Sequence, residues 1–430
     1  MLLTSFQGKG ELKTYWLSTE RPTNLSAREQ LALPAILKMM AKADIDPGFI
    51  QKKKAANSNE RRERLVDYHT NVLKGLMSKL AGMHFSTSSD SVDADSYAEK
   101  IENEDASTTK TFNEEAMEGI LFPTSTKVAG IASTLVGNVD PYTIDDSVTD
   151  QLRELVSRVS RWHRDDLPFH SFEHASHTVL SITKLLAAIE TTHRTTDTVL
   201  NKTKSMITHP LTQFVLVFAA LVHDASDEDA RAAERSTCRA WSLFFEPCFR
   251  DLRRSVCRSH RDYEFFRRLL GKSILVVTAE VTDFVDDRGN GQSAGSSPSE
   301  RITFFAEKQE ASNKALTIVE KLLRVSDVSY SLQHFLVFQK WNRLRFKEEY
   351  GTYLSENDYT KEDPSVSWHE SELESFDDRI RLVRSLRDSG VCNKLAEVYL
   401  NAAIANRREW ERRGILIVKE YLSSKRKNSM

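Results

Sequence analysis

The chain reads as an all-α protein. Apolar residues recur at helical spacing in segment after segment, and from residue 146 on no stretch alternates apolar and polar residues at the strand period. Downstream of residue 146 one turn-rich interruption stands out, DDRGNGQSAGSSPSE at 286–300. At 430 residues there is ample apolar content for a large core. A net charge of −2 with 28% charged residues gives no basic excess of the kind nucleic acid requires. No apolar run reaches the roughly 18 residues of a membrane helix, and the opening MLLTSFQGKGELKTYW lacks a signal-peptide core. The expectation is a soluble, cytoplasmic chain. Cys238, Cys248, Cys257 and Cys392 show no CxxC spacing and read as free thiols in a reducing compartment.

Residues 7–17, QGKGELKTYWL, form a Gly/Lys turn with a short β-like end, and no helix N-terminus follows that would make it a phosphate loop. From about Ser26 to Leu80 the sequence is helical and charged, with breaks at Pro34 and Pro47. Leu65, Tyr68, Val72, Leu73, Leu76 and Leu80 make one helical stripe, which fits a helix packing on its own domain or the stalk of a homodimer. Between Ser86 and about Asp146 the composition turns to Ser, Thr, Asp and Glu, and such a segment buries too little apolar surface to offset its ordering entropy. It is expected to be a flexible acidic linker. Structure resumes at Asp146, where Ser147 or Thr149 can cap a helix carrying Leu152, Leu155, Val156, Val159 and Trp162.

The chemistry concentrates after this point. PFHSFEHASH places His170, His174 and His177 at i, i+4 and i+7, one stripe of a helix that continues through Val179, Ile182, Leu186 and Ile189. Further on, the apolar run FVLVFAALV ends in His223-Asp224, and Asp327 interrupts LLRVSDVSYSL. A lone histidine on an apolar helix is usually a core residue with a satisfied hydrogen bond. An Asp closing nine apolar residues and another inside a Leu/Val helix, however, each need a strong compensating partner. Two histidines and two carboxylates arriving from three apolar helices supply one another with a mixed N/O site for Zn²⁺ or another divalent ion.

Two resemblances attach to these residues. The opening QGKGELKTYWL resembles the last strand of class III nucleotidyl cyclase domains, which implies that residues 1–22 are the end of a cyclase domain and 23–85 a helical connector. Residues 146–425 resemble the catalytic domain of class I 3′,5′-cyclic nucleotide phosphodiesterases, a compact multi-helix metal domain. The likeness rests on His170-Ser171-Phe172-Glu173-His174, His223-Asp224, Asp327, and the later segments KWNRLRFKEEY, DPSVSWHESELESF and NRREWERRG. Together the two resemble receptor guanylyl cyclase–phosphodiesterase fusions of protists and algae, which implies a covalent link to an upstream cyclase and membrane-receptor part.

The second resemblance implies that His174, His223, Asp224 and Asp327 hold a first metal, usually Zn²⁺, with Asp224 bridging to a second, usually Mg²⁺ or Mn²⁺. It implies that His170 is the general acid, oriented by Glu234, and that cGMP or cAMP is the partner, hydrolysed to the 5′-monophosphate. The chain also departs from the family pattern. Asp227 stands where a site His is expected, in a loop shorter than usual, and either coordinates a hard cation or is a solvated acid. Glu280 replaces an Asp that orders water at the second metal. In the base pocket, Glu372, Ser375 and Phe376 fall in the stretch that carries a Gln and a Phe, with Glu372 at the Gln and Ser375 at the Phe. A carboxylate at 372 suits the donors of guanine, so cGMP is expected over cAMP. The alternatives are an impaired regulatory or dimerising module with this fold, or an HD-type metal phosphohydrolase acting on another phosphoester.

Overall fold

The computed structural model describes residues 47–86, 117, 144–192, 195–225, 232–278, 300–356 and 363–426. The described residues are helical, without a strand among them, as the sequence predicts. The expected cyclase end at 1–22 and the turn-rich loop within 286–299 lie outside them. Of a first compact unit, 1–58, only the helical residues 47–58 are described; all that follows concerns the second, Asn59–Met430.

The helices are α1 (Pro47–Ser86), α2 (Asp146–Ser160), α3 (Phe172–Glu190), α4 (Thr198–Ile207), α5 (Pro210–Val222), α6 (Ala232–Phe244), α7 (Arg250–Val256), α8 (His260–Thr278), α9 (Glu300–Asp327), α10 (Phe335–Glu356), α11 (Pro364–Asp388) and α12 (Asn393–Arg426). Short 3₁₀ turns sit at Pro247–Phe249 and Val328–Leu332. No single described helix is long and apolar enough to cross a membrane.

Every residue of α5 is buried, because α3, α8 and α9 all pack against it. This explains its unbroken apolar run: a helix surrounded on all sides has no polar face. Pro210 at its first turn suits a position whose N–H has no helical acceptor. The α2 cap is Asp145, whose Oδ1 accepts the Ser147 N–H at 2.9 Å, where the sequence offered Ser147 or Thr149. All three residue types cap well, and the register of the helix selects among them.

The face of α1 carrying Leu65, Val66, Leu73 and Met77 is buried in the same core as α2, α3 and α5. His69 Nε2 meets the Ser176 hydroxyl of α3 at 2.8 Å, and Arg153 of α2 binds Glu63 and Asp67 at 2.7 and 2.8 Å. The stripe thus packs on its own domain, and the compact unit begins well before the expected boundary at 146. Within the expected linker, Met117 is also 4% exposed in this core. A second, aromatic cluster joins Phe169, Tyr330, Trp341, Phe346, Phe376 and Trp410. There α11 and α12 approach closely at Gly414, where a Cβ would lie 2.4 Å from the His369 ring.

Candidate metal centre

Three helix ends deliver the predicted cluster. His174 sits in the first turn of α3, His223 caps the C-terminus of α5 with Asp224 next to it, and Asp327 is the last residue of α9 before its 3₁₀ turn. Helix ends are where a backbone can turn a side chain inward without breaking a hydrogen-bond ladder. His174 Nε2 lies 2.9 Å from Asp327 Oδ1 and 3.6 Å from Asp224 Oδ2. His223 Nε2 lies 3.0 Å from Asp224 Oδ2 and 3.3 Å from Asp327 Oδ1. One ligand atom from each residue falls within 4.8 Å of every other.

The chemistry of this set fits a divalent cation. Asp224 Oδ2 is buried with His223 Nε2 and His174 Nε2 at 3.0 and 3.6 Å and no well-formed hydrogen bond, while Asp327 Oδ1 meets both imidazoles, so the four side chains converge on one shared space. His223 Nδ1 donates to the Ala220 carbonyl at 2.9 Å, which leaves its Nε2 lone pair directed into the cluster. Burial opposes charge on His223, Asp224 and Asp327, but mutual attraction outweighs it: Asp224 holds His223 well above the ordinary imidazole range, and the histidines hold Asp224 and Asp327 below the carboxylate range. A cation in the shared space does the same work as those protons. Two imidazoles and two carboxylates make a mixed N/O donor set for such an ion.

His170 is placed differently from the expectation. Ser171 caps α3, accepting from the His174 N–H at 3.4 Å, so His170 lies one residue outside the helix. Its ring still faces the cluster, with its centroid 6.4 Å from that of His174. Its Nδ1 bonds Glu348 of α10, and the other oxygen of Glu348 accepts the Phe169 and His170 backbone N–H groups at 2.7 and 3.2 Å. Burial disfavours the imidazolium, but Glu348, Asp224 and Asp327 more than compensate, and the His170 pKa is raised to about 9. Glu348 is a residue that sequence reasoning missed. It stands in KWNRLRFKEEY among other charges, where nothing separates it from a solvated residue. The side chain of Glu234, expected in this role, lies outside the described residues.

His177, the third member of the stripe, belongs to the core. Its nitrogens meet Gln333 Nε2 at 3.0 Å and the Ser329 hydroxyl at 3.3 Å, and burial lowers its pKa to about 3. Asp227 and Glu280 lie outside the described residues.

A cavity of about 690 Å³ opens beside Asp327 between α9 and α11, and Ser375 is among the residues that line it. Glu372 and Phe376 do not serve as the sequence suggested. Phe376 is fully buried, its ring 4.8 Å from that of Phe338. Glu372 is 2% exposed, with one oxygen on Arg379 and the other on Arg345 at 3.2 Å and Asn342 at 3.0 Å. A buried carboxylate needs such partners, so its acceptors are committed within the protein rather than offered to guanine.

No family model matches the chain, and no curated protein matches it. Solved structures do show a likeness. The phosphodiesterase domain of Salpingoeca rosetta rhodopsin phosphodiesterase is 14% identical with a TM-score of 0.49, covering 76% of this chain and 96% of that one. A phosphodiesterase domain of the RhoPDE fusion protein from the same choanoflagellate is 13% identical with a TM-score of 0.45, covering 65% and 86%.

Proposed function

We propose that residues 59–430 form a metal-dependent phosphoesterase whose reaction is of the 3′,5′-cyclic nucleotide phosphodiesterase type. The observation that carries this is one juxtaposition: the convergent His174, His223, Asp224 and Asp327 set beside His170, an imidazole that Glu348 keeps protonated at neutral pH. A divalent cation held by the four would neutralise an anionic phosphoester and supply a nucleophile at neutral pH. His170 would then give its Nε2 proton to the departing oxygen as the P–O3′ bond breaks, and Glu348 would hold the ring and its remaining proton in place. Water supplies the new oxygen on phosphorus and releases a proton to solvent, from which His170 regains its own.

The test is hydrolysis of cGMP and cAMP by the full chain with Zn²⁺ plus Mg²⁺ or Mn²⁺, alongside His170→Ala and a metal count. Turnover abolished in the variant supports the reading, whereas a protein with neither metal nor turnover refutes it. A second reading, action on another phosphoester, is favoured by Glu372, whose carboxylate is tied to two arginines and an asparagine. Hydrolysis of a generic aryl phosphodiester without turnover of either cyclic nucleotide would support it.

A further inference from the structure

The cavity beside Asp327 has walls of unusual charge for a pocket meant for a neutral base. On α9, Lys321 and Arg324 precede Asp327 by six residues and three, and all three line the cavity. With a rise of 1.5 Å per residue, the backbone positions of the two cations lie about 9 and 4.5 Å along the helix axis from that of Asp327. Across the cavity, Arg345 and Arg379 are matched by Glu372, and Arg381 pairs with Asp378. Arg324 is half-buried and has no hydrogen-bond or ion-pair partner among the described residues. Lys321 is also half-buried: burial disfavours its ammonium, and Asp388 and Glu320 only partly offset this. A guanidinium turned into a partly desolvated cavity without a partner is a site for an anion.

We infer that the phosphoester cleaved here carries a second anionic group, held by Arg324 and Lys321 while the scissile phosphate lies at the His/Asp cluster. This rests on the metal-dependent phosphoesterase reading and takes its second form, action on another phosphoester, with nucleotides or related esters that carry two separated anionic groups as the substrate class. A mono-anionic cyclic nucleotide would fill only half of the site.

The test is isothermal titration of 5′-AMP and of adenosine 3′,5′-bisphosphate into the full chain loaded with Zn²⁺ and Mg²⁺. The bisphosphate is expected to bind at least tenfold more tightly. That ratio should fall to near one in Lys321→Ala/Arg324→Ala and be partly restored in Arg324→Lys, with melting temperature and metal content confirming that the variants fold. Equal affinities in the native chain, or a preference that survives in the double variant, overturn the inference, as does failure of either ligand to bind the metal-loaded chain. The metal count separates the two levels: bound metal without the preference refutes the second-anion site alone, while no bound metal refutes the phosphoesterase reading and this inference with it.

Discussion

Replacing Glu348 by Gln isolates the charge that acts on His170. The carboxylate is 5% exposed and makes three contacts, one to His170 Nδ1 and two to the Phe169 and His170 N–H groups. A Gln oxygen can still accept from both backbone groups, so the loop before α3 keeps its anchor. Ala cannot, and it leaves two backbone donors without their acceptor at about 1–3 kcal/mol each. The Gln amide, however, would present N–H to Nδ1 and so force the neutral tautomer protonated on Nε2. With the largest attractive contribution removed, burial gains on Asp224 and Asp327, and the His170 pKa is expected to move down from about 9 toward the ordinary imidazole range. The assay is ¹⁵N NMR titration of His170 in native and Glu348→Gln protein, each with chelator and with metal. Because general-acid catalysis is worth about 10²- to 10⁴-fold, turnover at pH 8 should fall by about 100-fold and recover in part at lower pH. A variant in which His170 still carries its Nδ1 proton and titrates near the native value would refute the argument.

Three further outcomes are expected. Metal should raise the melting temperature of the native chain: at a thousandfold excess over Kd the gain is about 4 kcal/mol, or roughly 8 °C at about 2 °C per kcal/mol. Asp224→Asn should lose most of that shift, and an equal shift in both proteins would place the metal elsewhere. Leu73→Ala, at a fully buried position of α1, should cost about 2–5 kcal/mol in urea unfolding, whereas a cost below about 0.5 kcal/mol would mean that α1 is not part of this core. Acid should weaken the fold through His69 and His163, whose burial lowers their pKa values from 6.5 to about 3 and about 4. The sign follows from linkage: stability is full above about pH 6.5 and declines as the pH falls toward 4, because the unfolded chain binds protons that the native state refuses. His163 accounts for about 3 kcal/mol of that decline. Urea midpoints from pH 7 to 4.5 should fall less steeply in His69→Gln/His163→Gln, and parallel slopes would contradict the assignment.

The sequence by itself determined the helical class and the four-residue cluster. Helical periodicity is local, and a carboxylate at the end of FVLVFAALV or within LLRVSDVSYSL conflicts so strongly with apolar burial that its need for a partner is written in its neighbours. Whether α1 closes on its own domain was not legible, because an apolar stripe records only that something covers it. Tertiary structure decided that, and it also brought a carboxylate to His170 that no local pattern marks. Glu348 lies 178 residues away and reads as one charge among several until α10 brings it under the loop before α3. In the same way Glu372 looked like a pocket residue in sequence. Only the folded chain sets it between Arg345 and Arg379, and charge pairing at that range depends on which helices meet rather than on any local pattern.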